Sequence, residues 1–238
     1  PGAITALALD NPETWLAAAD SVGTLALWHL PSQICQWQHQ GEGEPLTTLV
    51  FSPEGDRLFG GSRDRTIQSW TLEGEPIAQL TGHLRQVHCL WPLPKGQQLL
   101  SGSKYGTVCL WDLDRQEIQH RWQPLDRLIY GVTADLQGNP LAIAGSAQTL
   151  EVWEIGKDRH RCTLTDEGST LWHVSLSPDG QHLLSASQEG NLNLWRVATG
   201  EHLAQLRVDR PYEAMKIKGC TGLSPVERSI LHTLGAID

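Results

Sequence analysis

The stretch SGSKYGTVCLWDL, residues 101–113, reads as a small-residue strand, a Gly-containing turn and a second, alternating strand that ends on Trp111. Four other segments have the same shape: GTLALWHL ending on Trp28, RTIQSWTL on Trp70, QTLEVWEI on Trp153 and GNLNLWRV on Trp195. Successive Trp residues lie 42, 41, 42 and 42 positions apart. A period this constant marks a structural unit that is built five times, and its length suits a four-stranded sheet of about 40–45 residues.

The rest of each period supports that unit. Thr24, Thr66, Thr107, Thr149 and Asn191 each stand four positions before a repeat Trp. Ahead of them run LAAADSVG, LFGGSRDR, LLSGSKYG, LAIAGSAQ and LLSASQEG. Small side chains suit a strand packed closely between neighbouring sheets. Further back, FSPEGDR and LSPDGQH are turn signals, because Pro presets φ and Gly takes the left-handed position. After each Trp a polar bend leads to one more alternating strand, so each unit holds four strands.

These residues resemble the WD-repeat family, whose units form the blades of a β-propeller. The resemblance covers roughly residues 2–208. It implies an all-β chain of five four-stranded antiparallel blades, at about 2–43, 44–84, 85–126, 127–168 and 169–209. The family's signature is diluted. Gly-His occurs only at Gly82-His83, Trp-Asp closing a repeat only at Trp111-Asp112, and the turn aspartate only at Asp64. The family's His–Ser–Asp–Trp hydrogen-bond network is therefore complete in no unit, with Tyr105 standing for the acid in the third. Propellers close with roughly four to eight blades. Two readings stay open: a ring closed by these five units, or an arc continued by upstream blades or a partner. The chain starts at Pro1 without Met, and we read it as a piece of a longer protein.

From Arg210 the register stops. Ser224, Pro225 and Glu227 form a capping box ahead of a short helix expected at about 225–234, with Leu223, Val226, Ile230, Leu231 and Leu234 on one stripe and Gly235 ending it. We expect this extension, 210–238, to cover an exposed blade edge. The ending RPYEAMKI…TGL…LGAID also resembles the C-termini of bacterial, especially cyanobacterial, WD-repeat proteins fused to signalling NTPases of the NB-ARC or NACHT type. That resemblance implies a regulatory propeller working with upstream domains of the same polypeptide.

Composition narrows the function classes. A formal charge of −9 argues against a nucleic-acid or membrane-surface role. No apolar run approaches the ~18 residues that cross a bilayer as a helix. Five cysteines scattered over the units, with no CxxC pair, suggest neither a zinc site nor a disulfide framework, so a cytoplasmic location is expected. Asp158, His160 and Cys162 read as a polar outer strand. No G-x-S-x-G or G-x-x-x-x-G-K-[ST] motif is present. We expect no enzyme activity and no cofactor.

A propeller offers rims for protein or peptide partners, and a central channel as the alternative, small-ligand site. The second residue of each unit's first strand is Thr5, Thr47, His88, Tyr130 or Trp172, and in the family this position lies near the channel mouth. Three ring-bearing side chains there have the composition of a binding hot spot. Turns reaching the same end carry Arg63, Arg65, Lys104, Tyr105 and Glu189. Together with Arg85 they make a basic spot on an acidic protein, suited to an acidic peptide or a phosphate. Trp28, Trp70, Trp111, Trp153 and Trp195 are expected to be structural core.

Overall fold

The computed structural model describes residues 2–40, 43–94, 96–104, 106–123, 128–135, 139, 141–145, 148–154, 159–165 and 170–207. In the C-terminal stretch it describes 215, 216, 218, 228, 229, 231 and 237. Twenty strands form five four-stranded antiparallel sheets, each consecutive in sequence. The first holds β1 (Ile4–Leu9), β2 (Trp15–Asp20), β3 (Thr24–His29) and β4 (Ile34–Gln40). The second holds β5 (Leu46–Phe51), β6 (Arg57–Ser62), β7 (Ile67–Thr71) and β8 (Pro76–Leu80). The third holds β9 (Val87–Pro92), β10 (Gln98–Ser103), β11 (Val108–Asp112) and β12 (Glu117–Trp122). The fourth holds β13 (Ile129–Ala134), β14 (Leu141–Gly145), β15 (Thr149–Glu154) and β16 (Arg159–Thr165). The fifth holds β17 (Leu171–Leu176), β18 (His182–Ser187), β19 (Asn191–Arg196) and β20 (Glu201–Arg207). This is the propeller arrangement, with first strands innermost and fourth strands outermost and largely exposed.

The turns form as their chemistry dictates. Ser52 Oγ accepts from the N–H groups of Asp56 and Arg57, and Gly55 takes φ 72°. The matching turn in the last sheet uses Ser177 and Gly180, at φ 66°. Small residues in the second strands answer a steric need. A Cβ on Gly102 would lie 2.5 Å from Cys89 Sγ and 2.7 Å from Ile129 Cγ2 of the next sheet.

All five repeat Trp residues sit at one register position, beside a bulge between the third and fourth strands. What their indole N–H meets differs. Trp111 Nε1 donates to Ser101 Oγ at 2.7 Å and Trp195 Nε1 to Ser185 Oγ at 3.0 Å. Trp153 Nε1 donates to Glu151 Oε2 at 2.8 Å. Ser101 also lies 2.6 Å from His83 Nε2, so three of the four members of the family network are joined in the third sheet without the acid. Burial, and secondarily the nearby Arg121 charge, lowers the His83 pKa to about 4.

Among the described residues the core consists of four apolar clusters, and each fills the space between two consecutive sheets. Trp70, for example, packs with Ala17, Ala19, Leu25 and Leu27 of the sheet before it. Among the described residues, no fifth cluster joins the last sheet to the first. First strands pack in the order β1 on β5, β5 on β9, β9 on β13 and β13 on β17, with no comparable packing of β17 on β1. Among the described residues, the five sheets therefore form an open arc.

Both ends of the arc present interface residues to solvent. Leu7 is 61% exposed, whereas its counterpart Leu49, one unit later, is 7% exposed. Ile4 and Leu9 behave the same way against Leu46 and Phe51. At the other end Leu184 and Leu192 are exposed where Ala17 and Leu25 are buried. The expectation that all five repeat Trp residues are core is corrected at Trp28 and Trp153, which are only half-buried. Trp28 lines an open cleft with Ile4, Ala18 and Gln38, whereas Trp153 packs against the cluster between the third and fourth sheets.

Of the expected helix, Arg228, Ser229 and Leu231 are described and helical. Ser224 to Glu227, Ile230 and 232–235 lie outside the described residues. A parallel bridge joins Lys216 to Ile237, whose N–H donates to Met215 O at 2.9 Å.

Candidate functional site: the channel mouth

Thr5, Thr47, His88, Tyr130 and Trp172 share more than a position in sequence. In every first strand the ladder skips this residue: pairing jumps from Ile4 to Ala6, Leu46 to Thr48, Val87 to Cys89, Ile129 to Gly131 and Leu171 to His173. Each is thus the extra residue of a β-bulge, a device that re-aims one side chain while the strand continues. Five bulges at one level of five innermost strands bring these residues together around one opening.

Two chemistries divide the opening. Thr5 Oγ1 donates to Leu46 O at 2.7 Å, and Thr47 Oγ1 donates to Val87 O, each tying its sheet to the backbone of the next. The other three positions carry rings instead. His88 and Tyr130 have centroids 6.1 Å apart in a tilted pair, and Tyr130 and Trp172 are stacked at 5.9 Å with 16° between planes. Trp172 is 57% exposed. Contact between rings and availability to a partner therefore coexist here. Packing on one another does not consume the outermost ring.

Beside this arc lies a cavity of about 350 Å³ lined by Arg63, Arg65, Leu84, Arg85, Gln86 and Lys104. The backbone fixes its walls: Arg63 N donates to Pro45 O at 3.2 Å and Lys104 N to Gln86 O at 3.0 Å. Burial, then Lys104 and Arg63, lowers the His88 pKa below its ordinary value, which favours the neutral form of the imidazole at the head of the arc. Leu84, 73% exposed at the cavity edge, was not among the sequence candidates. Glu189 is exposed in the corresponding turn of the fifth sheet. Tyr105 lies outside the described residues.

The opposite end of the channel holds a second cavity, of about 410 Å³, which sequence reasoning missed. It is walled by the far ends of all five first strands and by Pro53, Pro92, Pro94 and Pro178. Pro53, Pro94 and Pro178 read only as turn residues, since nothing in the local sequence reveals that the turns converge.

Elsewhere the chemistry is quiet. Among the described residues, no three His, Cys, Asp or Glu side chains are grouped to hold a metal ion. Asp158 is outside that set, His160 packs edge-on against Trp153, and half-buried Cys162 packs against the core between the last two sheets. Cys35, Cys89, Cys109 and Cys162 are free thiols, and burial pushes Cys89 up to about 12 and Cys109 up to about 11. No helix among the described residues is long and apolar enough to cross a membrane.

The model for the WD domain, G-beta repeat, matches residues 33–71, 74–112 and 159–196. Each matched segment runs from the fourth strand of one sheet through the third strand of the next, so each sequence repeat stitches two sheets together. The chain is 24% identical over 200 residues to periodic tryptophan protein 2 homolog of Dictyostelium discoideum, covering 82% of this chain and 22% of that protein. It is 24% identical to target of rapamycin complex subunit wat1 of Schizosaccharomyces pombe, over 69% of this chain and 54% of the relative. Human NACHT domain- and WD repeat-containing protein 1 is also 24% identical, over 80% of this chain and 13% of its own length. The chain thus spans only part of the curated relatives it matches.

Proposed function

We propose that this chain of WD40 repeats is a non-catalytic protein-interaction module that holds a peptide segment of its partner across the channel mouth. The observation that carries the reading is the row of rings His88–Tyr130–Trp172, whose stacked Tyr130–Trp172 pair ends on an exposed indole at a bulge. Rigid aromatic side chains at a preformed rim lose little entropy on binding and supply the area that anchors interfaces. One relative is by name a complex subunit, which is in keeping with such a role.

Screening the full 238-residue chain against an immobilised degenerate decapeptide library tests this. Trp172→Ala and Tyr130→Ala should each lower retention at least tenfold, as expected of hot-spot residues worth about 2 kcal/mol. Trp172→Ala should leave the melting temperature unchanged. Undiminished retention by the double variant refutes the reading.

Within that role, we place the chain as the cytoplasmic sensing end of a larger bacterial signalling NTPase. The C-terminal resemblance supports this, as does a relative whose name joins a NACHT domain to WD repeats. Sequencing the gene upstream tests it, since a G-x-x-x-x-G-K-[ST] loop is required there. A second reading, a small apolar ligand, is favoured by the far cavity, whose size falls within the range of about 300–1,000 Å³ usual for ligand sites. Thermal shift against a metabolite panel would reveal it.

A further inference from the structure

We infer that the basic cavity beside the ring stack is a subsite for a phosphorylated serine or threonine of the bound peptide. The inference rests on the mouth being a peptide site and specifies what the peptide must carry.

Three observations converge. First, the lining holds Arg63, Arg65, Arg85 and Lys104 with no carboxylate among them, in a protein where acids outnumber bases 27 to 18. Second, the cations are local. At the place held by Arg63 and Lys104, the first and fifth sheets have Ser21 and Gln188, each with the same backbone hydrogen bond to the residue before its first strand. Among the described residues, only the neighbouring second and third sheets are charged there, and the connector between them adds Arg85. Third, Arg65 has φ 80°, at the position where Gly23, Gly106 and Gly190 have φ 87°, 80° and 82°. The left-handed region is costly for a residue with a Cβ, and such strain concentrates at ligand sites. Three sheets use the unstrained residue, whereas the second holds a guanidinium there, at the cavity wall.

The ligand class follows from the chemistry. Guanidinium forks match the oxygens of a phosphate in pairs, and a phosphomonoester brings ≈ −1.5 to −2 charge with three strong acceptors. A carboxylate brings two acceptors and one charge to Arg63, Arg65 and Lys104. Extended nucleic acid would need a basic stripe, and the net charge of −9 opposes it. Gln86, which lines the cavity, lies 3.2 Å from the His88 ring, so one peptide spans both: phosphate among the arginines, apolar residue on Tyr130 and Trp172.

The test uses the full chain and two degenerate peptide libraries, identical except that a central serine is phosphorylated in one. Retention of the phosphorylated library should exceed that of its twin at least tenfold. Arg63→Glu and Lys104→Glu should abolish the difference, and Arg65→Gly should shrink it while raising the melting temperature by about 2–4 °C, because strain is relieved. That opposite movement of stability and binding is not expected of a solvated surface arginine. Equal retention of both libraries, lost in Trp172→Ala, overturns the phosphate inference and leaves the mouth reading standing. No retention of either library overturns both. Preference for a glutamate-substituted library equal to that for the phosphorylated one also overturns it, in favour of a general acidic peptide.

Discussion

Replacing His83 by Gln should flatten the acid side of the stability curve. His83 is buried, with Nε2 2.6 Å from a Ser101 hydroxyl that already accepts the Trp111 indole N–H. The hydroxyl has one proton left, and donating it to Nε2 keeps the imidazole neutral with its hydrogen on Nδ1. The unfolded chain takes up a proton on this residue as pH falls through about 6.5, and the folded chain does so only near 4. Stability from the neutral imidazole is therefore complete above pH 6.5 and is lost as pH falls from there to about 4. The full window is worth about 3 kcal/mol at 1.36 kcal/mol per pH unit, and about 2 kcal/mol of it is gone by pH 4.5. Urea unfolding followed by tryptophan fluorescence at pH 7.0, 5.5 and 4.5 measures this directly. Gln can still bond to Ser101 and does not titrate, so the stability difference between wild type and His83→Gln should narrow by about 2 kcal/mol between pH 7.0 and 4.5. Carboxylates common to both proteins cancel in that comparison. A difference that stays constant across the three pH values would refute the buried neutral histidine.

Three further outcomes follow from the packing. Leu49→Asp should prevent folding, whereas Leu7→Asp, at the equivalent place on the open end, should leave the melting temperature within about 2 °C and reduce self-association in sedimentation velocity. Similar damage from both would mean that the arc is closed. Ser185→Ala strands the buried Trp195 N–H and should cost about 1–3 kcal/mol in urea, with Ser101→Ala costing more because it breaks two bonds. Trp111→Ala should cost about 3–5 kcal/mol by the same assay, and a loss under about 1 kcal/mol would mean that the indole is not core.

Much of this architecture was legible in the sequence because each unit is a local event. The Trp spacing, the Ser-Pro-x-Gly turns and the small-residue strands report contacts within one unit or with its nearest neighbour, and from them Thr5, Thr47, His88, Tyr130 and Trp172 are legible as second in each first strand. Whether the last sheet meets the first is another kind of question. It depends on the angle between successive sheets, which no single residue encodes, and exposed Leu7 and Leu192 look in sequence just like their buried counterparts. The same limit hid the exposure of Trp28 and the far cavity, whose turn prolines, Pro53, Pro94 and Pro178, belong to separate units. Arg65 was chosen for its charge, but its left-handed backbone became visible only beside the three glycines.

The bulges have a consequence for how the mouth is decorated. A side chain outside the ladder can be exchanged without altering any strand's register, so near-identical sheets need not give a symmetric opening. Round this circumference, hydroxyls fasten one half to the scaffold and rings furnish the other, with cations clustered at one end of the rings. The opening therefore has a bearing, like a compass rose with one marked point, and a peptide laid over it reads differently from end to end than from end to start.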